Sequence, residues 1–200
     1  MNPIERVILT RRSVRRFGPE APTEEAIGQL IGLACAAPSP MNRQDWHFTV
    51  VRSTQVRDRI VEAVERRWQA LAAQAGGNEA VLSSYAGHFA AFRQAPVSIA
   101  VDIKRTATFL EHLLGEAAGR VQGDCLSAGM AVENLLLAAH AMGLGTCVFT
   151  GCVAAEAEIG AVLGLGPARR LACLVVIGVP DEDPPVPARR PLDDLLRVIR

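Results

Sequence analysis

The segment from Leu126 to Met142 is apolar almost all round. A helix with no polar stripe has to be covered on every side. Any fold of this chain must therefore put that helix at its centre and pack sheet or further helices around it. Gly143 follows directly and suits a left-handed helix end. The strands follow from a second period. Trp46 to Val51 alternates, with Trp46, Phe48 and Val50 on one face. Val97 to Ile103 and Thr146 to Phe149 read as two more strands, and Leu171 to Gly178 is an unbroken apolar run, as in a strand buried on both faces.

The remaining apolar positions fall at helical spacing. Asn2-Pro3 opens a helix carrying Ile4, Val7 and Ile8, expected to stop at the Phe17-Gly18-Pro19 turn. Thr23 caps a helix with the stripe Ile27, Leu30, Ile31 and Ala34. Ser53 or Thr54 caps a long one through Val56, Ile60, Val64 and Leu71, ending at Gly76-Gly77. Residues 78–94 are expected to be partly helical, 104–118 helical with a break from Gly119 to Gly123, and Ala154 to Leu163 helical. Pro180 to Pro187 is Pro-rich and acidic, a surface connector, and a short amphipathic tail follows. The fold class is α+β: a small central sheet flanked by helices, in one domain spanning 1–200.

The chain has 200 residues, half of them hydrophobic and only 4% aromatic. A chain of this length buries about 70% of its surface, enough for one core without staples. The formal charge is zero, so there is no global basic excess of the kind that nucleic acid or anionic lipid attracts. The five cysteines form no CxxC pair and read as reduced core thiols of a cytoplasmic protein. Arg11-Arg12 is a twin-arginine pair, but Pro19, Glu20, Pro22, Glu24 and Glu25 stand where a signal needs apolar residues. No apolar run reaches the roughly 20 residues that span a bilayer.

Most reaction motifs are missing. Gly143-Leu144-Gly145 follows a helix rather than a strand, and Val148 stands where a third glycine belongs, so it is no dinucleotide loop. There is no Walker loop and no Gly-x-Ser-x-Gly elbow. His47, His88, His112 and His140 have no metal-ligand spacing. What remains is Arg11-Arg12-Ser13-Val14-Arg15-Arg16-Phe17. Guanidinium forks and a hydroxyl bind phosphate, although an Arg run read alone is equally a solvated basic patch. Pro38-Ser39-Pro40-Met41-Asn42-Arg43-Gln44-Asp45-Trp46 packs amides and a hydroxyl before a strand, as a binding loop or a plain connector would. Ala188-Arg189-Arg190-Pro191 follows the acidic linker.

Taken in order, these pieces resemble the nitroreductase family of FMN-dependent oxidoreductases. The marks are Arg11-Arg12-Ser13-Val14-Arg15; Ala37-Pro38-Ser39 through Asn42, Gln44 and Trp46-His47-Phe48; Glu133-Asn134-Leu135 through Ala139, with Gly143-Leu144-Gly145-Thr146-Cys147 and Thr150-Gly151; and Arg189-Arg190-Pro191-Leu192. The resemblance implies a homodimer with FMN at the subunit interface and NADH or NADPH as electron donor. It implies that Arg11, Arg12, Ser13 and Arg15 hold the flavin phosphate and ribityl chain, joined by Arg189 rather than Arg190. Pro38, Ser39, Asn42 and Gln44 would come from the other subunit, Met41 would face a small-molecule acceptor, and Thr150 and Gly151 would present backbone amides to the flavin ring. Acceptors of this chemistry are nitroaromatics and quinones, reduced by hydride transfer in two half-reactions. Reductive dehalogenation or flavin breakdown on the same scaffold stays open, as does a non-enzymatic anion-binding module. Two departures stand out. Gly87-His88-Phe89-Ala90 lacks the Lys that some relatives carry near the flavin ring, and Asp45 replaces a frequent Pro.

Overall fold

The computed structural model describes residues 1–74, 89–104, 113 and 123–200. Four strands, β1 (Trp46–Val51), β2 (Val97–Lys104), β3 (Gly145–Phe149) and β4 (Arg169–Gly178), form one antiparallel sheet in the order β1-β2-β4-β3. Six helices are described: α1 (Pro3–Thr10), α2 (Glu24–Ala34), α3 (Thr54–Ala72), α4 (Ala90–Gln94), α5 (Gly123–Ala141) and α6 (Glu156–Leu163). Single 3-10 turns occupy Pro40–Asn42, Gly151–Ala155 and Leu192–Asp194.

The sheet is buried on both faces, which explains the apolar runs of β2 and β4. On one face α2 and α5 deliver Leu30, Ala34, Leu135 and Ala139 onto Val97, Ile99, Val101, Val175 and Ile177. On the other, Ile60, Val61 and Val64 of α3 and Ile159 of α6 meet Ala100, Leu174 and Val176. The few aromatics gather there: Phe89 and Phe92 sit on Phe149, with ring centroids 5.4 and 6.0 Å away. The pairing between β2 and β4 steps from Val101–Cys173 to Asp102–Leu171. Ala172 is thus the extra residue of a bulge, and Leu171 swings to the α3 face while Cys173 stays on the α5 face.

Local signals placed most ends as expected. Thr23 and Ser53 accept the amides of Ala26 and Val56, and Gly143 is left-handed at φ +77° after α5. The first helix differs. Its start is a reciprocal cap, Asn2 accepting from the Glu5 amide and Glu5 from the Asn2 amide, both at 2.9 Å. It ends at Thr10, not at Phe17, because Ser13 pairs with Thr146 of β3 and Phe17 with Pro180. Tertiary strand pairing here overrides a helical sequence pattern. α3 ends at Ala72 with Ala73 as its cap, and the expected stop at Gly76-Gly77 lies outside the described residues. So do the helical expectations for 78–88, 105–112 and 114–118 and the break from Gly119, while Lys104, expected to be helical, ends β2.

Not every cysteine is a core thiol. Cys147, Cys152 and Cys173 are buried, but Cys35 is half-buried and Cys125 is exposed. Burial pushes the Cys152 and Cys173 thiols up to about 12. Among the described residues no helix is long and apolar enough to cross a membrane. Native protein at pH 8 should therefore leave Cys147, Cys152 and Cys173 unmodified by a maleimide over minutes, with all five reacting in denaturant. Mass mapping of the modified peptides checks this, and rapid native modification of Cys173 would contradict the packing of β4.

Candidate functional site at the edge of the sheet

β3 is an edge strand, and the Arg run lies beside it. The Val14 amide donates to the Thr146 carbonyl at 2.9 Å, and Ser13 bridges Thr146, so the chain is extended at Ser13 and Val14. Gly145 makes the approach possible: a Cβ there would stand 2.8 Å from Val14 Cβ. The Gly-Leu-Gly that fails as a dinucleotide loop thus has two structural tasks, ending α5 and seating the Arg run.

The run then divides by partner. Arg15 donates to the Ser13 carbonyl at 3.4 Å, and Arg15, Ser13 and Arg11 all act on Cys147 of β3. Burial pushes that thiol up, against the pull of Arg15, a hydrogen bond with Ser13, and Arg11. Arg12 goes elsewhere: its guanidinium donates to the carbonyls of Leu9 at 2.8 Å and Arg11 at 2.7 Å. It closes the end of α1, where carbonyls lack helical partners. Arg11 Nε also lies 3.6 Å from Glu133 of α5.

Behind the run, His140 lines a cavity of about 210 Å³ with Arg11, Arg12, Thr146, Glu182 and Asp183. The Thr10 hydroxyl donates to the Arg6 carbonyl at 2.7 Å. The 2.8 Å contact between Thr10 Oγ1 and His140 Nε2 therefore has the imidazole as donor, an assignment that follows from the network. Burial, then Arg11 and Arg12, hold the pKa of His140 below the ordinary imidazole value.

At the other end of β3, Thr150 and Val148 line a cavity of about 430 Å³, walled by Ala128, Gly129 and Val132 of α5. Gly151 follows Thr150 and sits under Trp68, whose indole donates to the Gly151 carbonyl at 3.3 Å. Four residues of strand separate Thr146 from Thr150, a span of about 14 Å.

The loop before β1 is built differently. Met41, Asn42 and Gln44 have φ of 53°, 54° and 50°. Left-handed backbone without glycine costs about 1–3 kcal/mol per residue and persists only where the surroundings enforce it. Here the Ser39 hydroxyl accepts the Gln44 amide at 3.0 Å, and the Gln44 side chain donates to Asn42 Oδ1 at 3.1 Å. Arg43 is clamped between Asp45, at 2.7 Å, and Asp124 of α5. The Asp45 carbonyl accepts from the Lys104 amide at 3.0 Å and from Arg169 at 3.2 Å. Arg169 also pairs with Asp102, fully buried on β2, which accepts from His47 Nδ1 at 3.2 Å. Where a proline was expected, an ion-pair network holds the loop. Met41 at its tip is 94% exposed.

Of the sequence-predicted residues, Arg11, Ser13 and Arg15 lie beside the start of β3 and act on Cys147, with Thr150 and Gly151 just beyond its end. Arg12 is committed to α1. Pro38, Ser39, Asn42 and Gln44 line neither cavity. Arg189, outside both, lies in the exposed tail, as does Arg190, which is 3.9 Å from Asp194. Sequence reasoning missed His140 and Glu182; the only signal for either was a polar residue amid apolar or proline-rich neighbours.

The sheet, its helical covers and the basic edge are those of a flavin-binding oxidoreductase scaffold. A crystal structure of a BluB-like flavoprotein from Clostridium difficile superposes with a TM-score of 0.87 at 25% identity, covering all of both chains. A nitroreductase-like protein from Desulfovibrio desulfuricans, solved in complex with FMN, gives 0.74 at 28% identity over 100% of this chain and 98% of that one. An NADPH-flavin oxidoreductase of Vibrio harveyi is 27% identical over 96% of this chain and 71% of its own. An iodotyrosine deiodinase of Danio rerio is 39% identical over 69 residues, 34% of this chain and 23% of that protein. The chain spans 62% to 92% of the lengths of three curated relatives. The Nitroreductase family profile matches residues 8–179. The chain belongs to the nitroreductase family, and by that membership is a flavin-dependent oxidoreductase.

Two outcomes follow from this geometry. Gly145→Ala should cost about 1–3 kcal/mol by forcing Val14 off β3, read from urea unfolding; an unchanged midpoint would show that the run is not seated there. Native His140 takes up its proton at lower pH than the unfolded chain. Its contribution is therefore complete above about pH 6.5 and declines as the pH falls below that value toward the depressed native pKa. His140→Gln should lessen the loss of stability between pH 7 and pH 5, and an identical pH dependence would refute the assignment.

Proposed function

We propose that the chain, acting as one domain over residues 1–200, is an FMN-dependent NAD(P)H oxidoreductase of small electrophilic acceptors such as nitroaromatics and quinones. The observation carrying this reading is the seating of the Arg run on one end of β3, through the Val14 amide and Thr146, with the cavity of Thr150 and Val148 at the other. The donor set fits FMN. Two guanidinium groups and a hydroxyl suit a phosphate, and a mostly apolar cavity suits a flat ring. When bound, the flavin supplies the hydride chemistry between NAD(P)H and acceptor.

The chain's own residues bind and orient. Arg11, Ser13 and Arg15 hold the phosphate and ribityl chain, while Arg12 supports them by fixing the end of α1. Thr150 and Gly151 present backbone to the ring. Loop 38–44 of a second copy, through Pro38, Ser39, Asn42 and Gln44, completes each site, and Arg189 reaches the phosphate from the tail. The dimer is supported by what one chain leaves uncovered: Ile4, Ile8 and Leu9 of α1 are 72, 53 and 62% exposed, and Leu192, Leu195 and Leu196 of the tail are exposed too. We place the enzyme in the cytoplasm, in keeping with the buried thiols of Cys147, Cys152 and Cys173. Reductive dehalogenation is the second reading, favoured by the local identity with the deiodinase.

Titration of cofactor-free protein with FMN tests the reading. Arg11→Ala and Arg15→Ala should each weaken binding about ten- to a hundredfold, the worth of one charge-assisted contact. Sharing of the site is tested by co-expressing Arg11→Ala with a Ser39→Ala/Asn42→Ala chain. A mixed dimer then carries one intact site and regains up to half of the wild-type activity. FAD in place of FMN, or unchanged affinity in both Arg variants, would sink the proposal.

A further inference from the structure

The backbone of the Arg run is held at its two ends by strand-like bonds. The Val14 amide donates to the Thr146 carbonyl and the Gly18 amide to the Val179 carbonyl, each at 2.9 Å. Between them, the amides of Arg15 and Arg16 point at one oxygen, Glu182 Oε1, at 2.5 and 3.0 Å. Glu182 Oε2 lies 3.5 Å from Arg16 Nε, and the Asp181 amide donates to the Arg16 carbonyl at 3.0 Å. Two successive N–H groups converging on one point form an anion-binding concavity. Here the anion comes from the chain itself, 167 residues away from Arg15. The acidic connector is thus a strap laid along the Arg run.

We infer that Glu182 is a positioning residue for the FMN site: its carboxylate pins the Arg15–Arg16 backbone and so fixes the direction in which the Arg15 side chain leaves it, back over Ser13. This rests on the function proposed above. Without the carboxylate, both amides lose their partner and Arg15 is free to turn with its backbone. The phosphate site then has to be ordered at the expense of binding energy.

The inference has an unusual sign. Glu182 is a negative charge beside the proposed phosphate site: it holds the Arg15 amide and lines the cavity that Arg11 also lines. By charge alone, deleting it should tighten FMN binding. If its role is to position, deletion loosens binding despite the removed repulsion. Asp183 lines the same cavity and serves as the control for charge alone.

The experiment is FMN titration by fluorescence quenching of the full-length cofactor-free protein, combined with amide hydrogen exchange resolved at residues 14–18. Glu182→Ala should weaken binding about tenfold or more. Glu182→Gln, whose carbonyl oxygen accepts both amides, should bind at least as tightly as wild type, and Asp183→Ala no more weakly than wild type. In cofactor-free Glu182→Ala the Arg15 and Arg16 amides should lose protection while Val14 keeps it. Should Glu182→Ala fail to fold, Glu182→Asp answers the same question: it keeps the charge, shortens the reach and should also weaken binding. Wild-type affinity or better in Glu182→Ala or Glu182→Asp, or undiminished protection at Arg15 and Arg16, would overturn the inference. A wild-type chain that takes up no FMN would overturn the functional reading and the cofactor role together, and the exchange data would still decide whether Glu182 pins the backbone.

Discussion

The hydrogen bond from the Val14 amide to the Thr146 carbonyl is the contact on which the rest of the site depends. It seats a basic stretch, extended at Ser13 and Val14, on the edge of the sheet. Arg11, Ser13 and Arg15 act on Cys147 of the neighbouring strand. Val14 is pressed onto Gly145, and Arg12 is left to close α1. Had the segment stayed helical, Arg11 and Arg15 would share one face and Ser13 would point to the opposite one, so the hydroxyl could not join the two guanidinium groups on a phosphate. The contact in turn needs β3 to be an edge strand, which the order β1-β2-β4-β3 provides, and a glycine at the point of closest approach.

The opposite edge of the sheet shows a different solution to a related problem. There the backbone is strained rather than paired, and charge holds it. Arg43 sits between Asp45 and Asp124, and Arg169 ties the Asp45 carbonyl to buried Asp102. A buried carboxylate is tolerable only with its partners in place; Asp102 has two, and the same pairs fix the ends of β1, β2 and β4. Rigidity at Asn42 and Gln44 is therefore inherited from the sheet, although the tip itself stands in solvent.

Much of the fold was legible in the sequence because its elements obey local rules. Period and caps place β1, β2, α2, α3 and α5 within a few residues, and Gly143 marks the end of α5. The failures share a cause, which is that the deciding partner is distant in sequence. Nothing between Arg11 and Phe17 announces that Thr146 and Val179 wait to pair with it. The same holds for Glu182, which reads as one acid in a proline-rich connector until the two amides it accepts are seen. In the loop before β1, Met41 and Gln44 adopt a backbone that sequence rules reserve for glycine. The resemblance of motifs pointed to the Arg run, but only the folded structure separates Arg12, whose guanidinium closes the end of α1, from Arg11 and Arg15.

The strap and the Arg run also set an order of events. Arg15 and Arg16 leave the ribosome early, and their partner Glu182 leaves late, 167 residues behind Arg15. Closing so long a loop carries a large entropic cost that later contacts must offset, and at roughly 5–20 residues per second the wait lasts on the order of ten seconds. During that interval the basic N-terminal segment has neither β3 nor its carboxylate and is open to any anionic surface. The Arg run is thus made well before the carboxylate that fixes it, so a nascent chain ending short of Glu182 should carry an unshielded positive arm rather than a half-formed pocket.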